Sequence, residues 1–159
     1  PKRSLFKPPK DLEQTISTAL ASTATIECGD NSQGTGWAIA LDDAAAGGES
    51  ALPSELASFP GRLITNHHVI TDCVNEPGSV TAMVGDQAFD SYVYSWDPEN
   101  DLAIVLTAAE LTPLPLSPQP QPGWWALSVG SPFGYEGSVS IGNVMNSDAV
   151  EVLAQLGDV

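Results

Sequence analysis

The strongest constraint on this chain is its rhythm of short β-type runs. Segments rich in Val, Ile, Thr and aromatic residues recur along it, each closed by Gly, Pro, Asn or Asp. Ser22–Cys28, Trp37–Leu41, Arg62–Thr65, Ser79–Val84, Ala88–Trp96 and Leu102–Leu106 all read as strands. Two more, Trp124–Val129 and Ser138–Val144, follow a stretch with prolines at 113, 115, 118, 120 and 122, a density that no sheet interior tolerates. Only Asp11–Leu20 has helical periodicity, with Leu12, Ile16 and Leu20 on one face. Many short strands and one short helix predict an all-β fold, a barrel or a sandwich.

Two segments lack strand character. Gly29–Gly36 has the composition of a turn, and residues 42–60 that of a long, acidic surface loop.

Charge narrows the function. The formal net charge is −15. Lys2, Arg3, Lys7 and Lys10 crowd the start, and Arg62 is the only basic side chain after them, against twenty carboxylates. Such a surface repels phosphate backbones, so nucleic acid is not an expected partner. The 42% hydrophobic content supplies a core and argues against disorder. No apolar run is long enough to span a membrane. The basic head, on a chain beginning at Pro1, fits the remnant of a removed targeting or membrane segment.

The titratable residues are few. His67 and His68 stand together at the end of a strand. Asp97 and Asp101 flank the entry to the apolar run Leu102–Leu106. Cys28 and Cys73 allow one disulfide or two buried thiols. A zinc site at His67, His68, Asp72 and Cys73 is disfavoured, because adjacent side chains of an extended chain point apart and no metal-ligand spacing is present. No metal and no cofactor is expected.

Four motifs occur in order: Gly34-Thr35-Gly36-Trp37, Thr65-Asn66-His67-His68-Val69, Asp101-Leu102-Ala103-Ile104 and Val129-Gly130-Ser131-Pro132-Phe133-Gly134. Together, over roughly residues 24–144, the chain resembles the trypsin-like (chymotrypsin-fold) serine peptidases, in particular their bacterial HtrA/Deg-type branch. The resemblance implies a chymotrypsin-like antiparallel β-barrel over residues 21–111, complete and carrying the His and Asp. Residues 1–20 would be a tail and short helix, 112–122 a Pro-rich crossover, and 123–159 the start of a second, partial barrel. His68, three after Thr65 and before Val69, matches the catalytic base, with His67 at a variable position. Asp101, directly before the apolar strand, matches the residue that orients the base, with Asp97 its rival. The resemblance also implies a Cys28–Cys73 bridge near the base, and with it an oxidising compartment, secreted or in the cell envelope.

The family's nucleophile sits in Gly-x-Ser-Gly. Six serines follow Asp101, at 117, 128, 131, 138, 140 and 147, and none precedes a glycine. No nucleophile is assigned in this chain. Residues 146–159 read as the next hairpin or as a diverged terminus. The expectation is a serine endopeptidase acting on protein or peptide substrates, its serine encoded beyond residue 159, with the 159 residues inactive alone. The alternative is an inactive relative serving as a binding module.

Overall fold

The computed structural model describes residues 9–29, 32–40, 56, 58–116, 120–130, 137–146 and 151–155. The head before Pro9, most of the acidic loop, and Ser131–Gly134 of the fourth motif lie outside them.

Six strands close into an antiparallel barrel: β1 (Thr23–Cys28), β2 (Ser32–Ala38), β3 (Gly61–Thr65), β4 (Val80–Val84), β5 (Gln87–Asp97) and β6 (Leu102–Thr107). Their order around the ring is β1-β2-β3-β6-β5-β4. Three further strands, β7 (Trp125–Gly130), β8 (Ser138–Asn146) and β9 (Glu151–Gln155), form a separate antiparallel sheet in sequence order. The hairpin reading of residues 146–159 therefore holds for Glu151–Gln155. One helix, α1 (Leu12–Leu20), precedes β1 as its periodicity predicts.

Alternation explains the barrel interior. Along β3, Gly61, Leu63 and Thr65 are buried while Arg62 and Ile64 are half-buried. Ile26, Leu63, Val80, Val93 and Val105 pack together in one buried core with Ala24, Ala38, Ala82 and Ala103. Leu63 and Ile26 are wholly buried, so truncating either to Ala would cost about 2–5 kcal/mol.

The turn expected over Gly29–Gly36 is shorter than its composition suggests. Ser32–Ala38 is strand, paired residue by residue with β1 from Cys28↔Ser32 to Thr23↔Trp37. The glycines are there for packing. A Cβ on Gly34 would strike the Val69 side chain, and one on Gly36 would lie 3.0 Å from the end of Ile26. The strand expected over Trp37–Leu41 stops at Ala38, and Ile39 makes a parallel bridge with Leu114 of the Pro-rich segment.

Candidate active site

The site grows from the end of β3. Thr65 is buried and its hydroxyl donates to the Thr35 carbonyl of β2 (2.9 Å), tying the strand end to the barrel. After Asn66 the chain makes one helical turn, α2 (His67–Ile70), where the sequence suggests extended chain. Four residues are too few to show helical periodicity. In a helical turn, too, neighbouring side chains do not share a face. Val69 and Ile70 are sunk in the core. The Ser32 hydroxyl donates to the Val69 carbonyl at 2.6 Å. Three residues past the turn, Cys73 is bonded to Cys28 of β1, with Cα atoms 5.8 Å apart and both residues buried. This bridge consumes one of the residues weighed as a zinc ligand. Among the described residues no group of three His, Cys, Asp or Glu is placed to hold a metal ion.

The turn thus has a fixed floor and an open roof. His68 stands on the roof, its side chain 70% exposed. Asp101 reaches it from the β5–β6 connection. Its Oδ2 lies 2.8 Å from His68 Nδ1, and its Oδ1 accepts the His68 backbone N–H at 2.9 Å. These bonds, the backbone one foremost, hold the Asp101 carboxyl below the usual aspartate range. With Nδ1 facing a carboxylate, the proton of the neutral ring belongs on Nδ1 and the Nε2 lone pair is free.

The rival residues have other partners. Asp97 Oδ1 accepts the backbone N–H groups of Glu99 (3.0 Å) and Asn100 (3.2 Å), and its Oδ2 accepts the Asn100 side-chain amide at 2.6 Å. It shapes the turn that delivers Asp101, and the Asn100 amide is the main reason its own carboxyl is also acidified. The ring that faces Asp101 is that of His68, not His67. Asp72 is exposed on the 3-10 turn before Cys73. Ser128 lies on β7, Ser138 and Ser140 on β8, while Ser117, Ser131 and Ser147 fall outside the described residues.

Two contacts have no counterpart in the sequence reading. Ser32 anchors α2, as noted, and the Asn66 side chain donates to Asp101, to its carbonyl at 3.1 Å and to Oδ2 at 3.3 Å. An Asn between the end of a strand and His67-His68-Val69-Ile70, whose last two residues are apolar, is a helix N-cap signal, the one clue that could have singled it out. Beside the pair lies a cleft of about 270 Å³, lined by Thr35, Trp37, Ile64, Thr65, Asn66, Leu102 and, from the second sheet, Val129. A larger cleft of about 480 Å³, between α1, Leu114–Pro115 and strands β7 and β8, contains none of the site residues.

Comparison with known proteins gives a family and a fold. Residues 34–155 match the trypsin-like peptidase domain family. Over 91 residues the chain is 34% identical to the "Probable periplasmic serine endoprotease DegP-like" of Chlamydia trachomatis, a match covering 55% of this chain and 18% of that protein. A protein of the same name from Pseudomonas fulva is 30% identical over 93 residues, covering 56% of this chain and 19% of its own. The chain thus spans less than a fifth of these relatives.

Among solved structures, the serine endoprotease from Yersinia pestis superposes with a TM-score of 0.64 at 18% identity, over 88% of this chain and 46% of that one. An inactive mutant form of Rv3671c from M. tuberculosis H37Rv gives 0.63 at 23% identity, over 88% and 58%. These two bear on the fold alone, and it is the chymotrypsin-like one. By the match over residues 34–155, the chain belongs to the trypsin-like peptidase domain family.

Proposed function

We propose that this chain carries the base and its orienting carboxylate for a serine endopeptidase reaction on protein or peptide substrates. His68 is the general base and Asp101 the residue that fixes its tautomer and direction. The observation that carries the reading is the two-point hold of Asp101 on residue 68, ring Nδ1 at 2.8 Å and backbone N–H at 2.9 Å. One bond would allow the ring to swing; two, on the same carboxylate, fix both the backbone and the ring edge.

Nε2 then takes the proton from a serine hydroxyl as the oxygen attacks the peptide carbonyl. The same proton passes to the leaving amine, and water releases the acyl group by the reverse sequence. Within residues 102–159 no serine stands in the family's Gly-x-Ser-Gly setting, so the nucleophile and the oxyanion-binding amides are supplied from outside this stretch. The buried Cys28–Cys73 bridge supports an oxidising, extracytoplasmic setting for this work.

The test is expression of the whole reading frame that contains these codons, with cleavage of an unfolded protein such as casein as readout. His68→Ala should lower kcat by about 10⁶-fold and Asp101→Asn by about 10⁴-fold while the protein stays folded. Wild-type turnover in His68→Ala would refute the assignment.

A further inference from the structure

Asn66 occupies the N-cap position of α2, with extended backbone (φ −84°, ψ 145°). An Asn there ordinarily turns its side-chain oxygen inward and accepts an N–H of the first helical turn. This one makes no such bond. The N–H at the second helical position, that of His68, is taken by Asp101 Oδ1 instead. Asn66 turns its amide outward and donates to the carbonyl and to Oδ2 of Asp101. The two residues have exchanged duties: the carboxylate caps the helix, and the cap residue holds the carboxylate.

The need for a hold is visible in the backbone. Asp101 has φ +52°, the one non-glycine residue at positive φ among those described. A side chain disfavours that conformation, and Asp is only among the more tolerant residues. The chain cannot shift freely around it. Asp97 pins the turn on one side, and on the other β6 is in register from Asp97↔Leu102 and Thr65↔Ala103 onward. If φ at residue 101 relaxed, its Cα–Cβ bond would turn relative to these fixed ends and the carboxylate would leave one or both of its His68 contacts. A donor reaching both the carbonyl and the carboxylate of one residue opposes that rotation.

We propose that Asn66 is a positioning residue that locks Asp101 in its left-handed conformation and so keeps the carboxylate on His68. The proposal rests on the reading of His68 and Asp101 as base and orienter, and deepens it. Asn66 touches no reacting atom and acts only through Asp101.

The experiment separates clamping from capping. Ser caps a helix about as well as Asn but has no amide to reach Asp101, whereas Ala can do neither. In the 159-residue chain, isotope-labelled, three quantities are read by NMR for wild type, Asn66→Ser and Asn66→Ala. These are the ¹⁵N signature of the neutral His68 ring, the exchange rate of the His68 amide hydrogen, and the titration of the Asp101 carboxyl, with His67 as internal control. Both variants should lose Nδ1–H character on His68, speed His68 amide exchange by about tenfold, and move the Asp101 titration toward the ordinary aspartate value. The His67 ring should not change, and Asn66→Ser should melt within error of wild type. If Asn66→Ser matches wild type in all three readouts, Asn66 is a helix cap only and the proposal is overturned. If Asn66→Ala melts lower with an unchanged His68 ring, it is overturned equally. Should Asn66→Ala fail to fold, Asn66→Ser decides alone. Failure of the base assignment would appear elsewhere, in the casein assay, and would leave these spectra as expected.

Discussion

Removing the Cys28–Cys73 bridge is the perturbation whose size follows most directly from the structure. The bridge joins positions 45 residues apart, and the closed segment contains β2, β3 and the α2 turn with His68. For a loop of that length the chain-entropy relation gives about 13 cal/mol/K of entropy withheld from the unfolded chain, or about 4 kcal/mol at 25 °C. Both residues are buried, at 0% and 1% exposure, so replacing them by Ala also loses sulfur packing and the term has the same sign. A domain of this size has roughly 5–15 kcal/mol in total, so the loss is a large share of it. The assay is urea unfolding of wild type and the Cys28→Ala/Cys73→Ala double variant, analysed by linear extrapolation at matched slope. The expected difference of about 4 kcal/mol corresponds to a fall in Tm of roughly 8–16 °C. A difference under about 1 kcal/mol, or two alkylatable thiols in the oxidised wild type, would refute the reasoning.

Other outcomes can be stated briefly. Asp101 and Asp97 are both more acidic in the folded chain than the ordinary 3.8; the folded state therefore sheds their protons more readily, and the stability they lend is present above that value and lost as pH falls through the depressed one. Thermal midpoints should drop below about pH 4, and Asp101→Asn should flatten part of that drop. Gly34→Ala should destabilise by about 1–3 kcal/mol, because its Cβ meets Val69 in a packed core; a neutral denaturation curve would contradict the packing role. Leu63→Ala should cost about 2–5 kcal/mol by the same measurement, and a loss below about 1 kcal/mol would mean the barrel centre is not close-packed around it.

Much of this fold is legible in the sequence. Strands β3 to β5 follow from β-rich runs between turn residues, β6 from the continuous apolar run Leu102–Leu106, and the choice of Asp101 over Asp97 from the resemblance, whose acid directly precedes the apolar strand. What stayed hidden had physical reasons. Strand β2 was obscured by Gly34 and Gly36, whose composition signals a turn although their missing side chains make room for Val69 and Ile26. The α2 turn was hidden by its four-residue length. The Asn66 contact depends on a positive φ thirty-five residues away, and no local pattern reports that.

Ring closure also sets a schedule. Strand β6 is bonded to β3 on one side and to β5 on the other, and its register brings Asp101 to the His68 turn. A ribosome delivering this chain from its first residue makes His68 well before it makes β6. Until about Thr107 has emerged, nothing holds a carboxylate at Nδ1, because β6 is not yet there to register against β3 and β5. The pair is then the product of the last pairings that complete the ring. A nascent or misclosed chain carries a histidine and an aspartate but not the arrangement, so assembly of the barrel and formation of the His68–Asp101 pair are a single event.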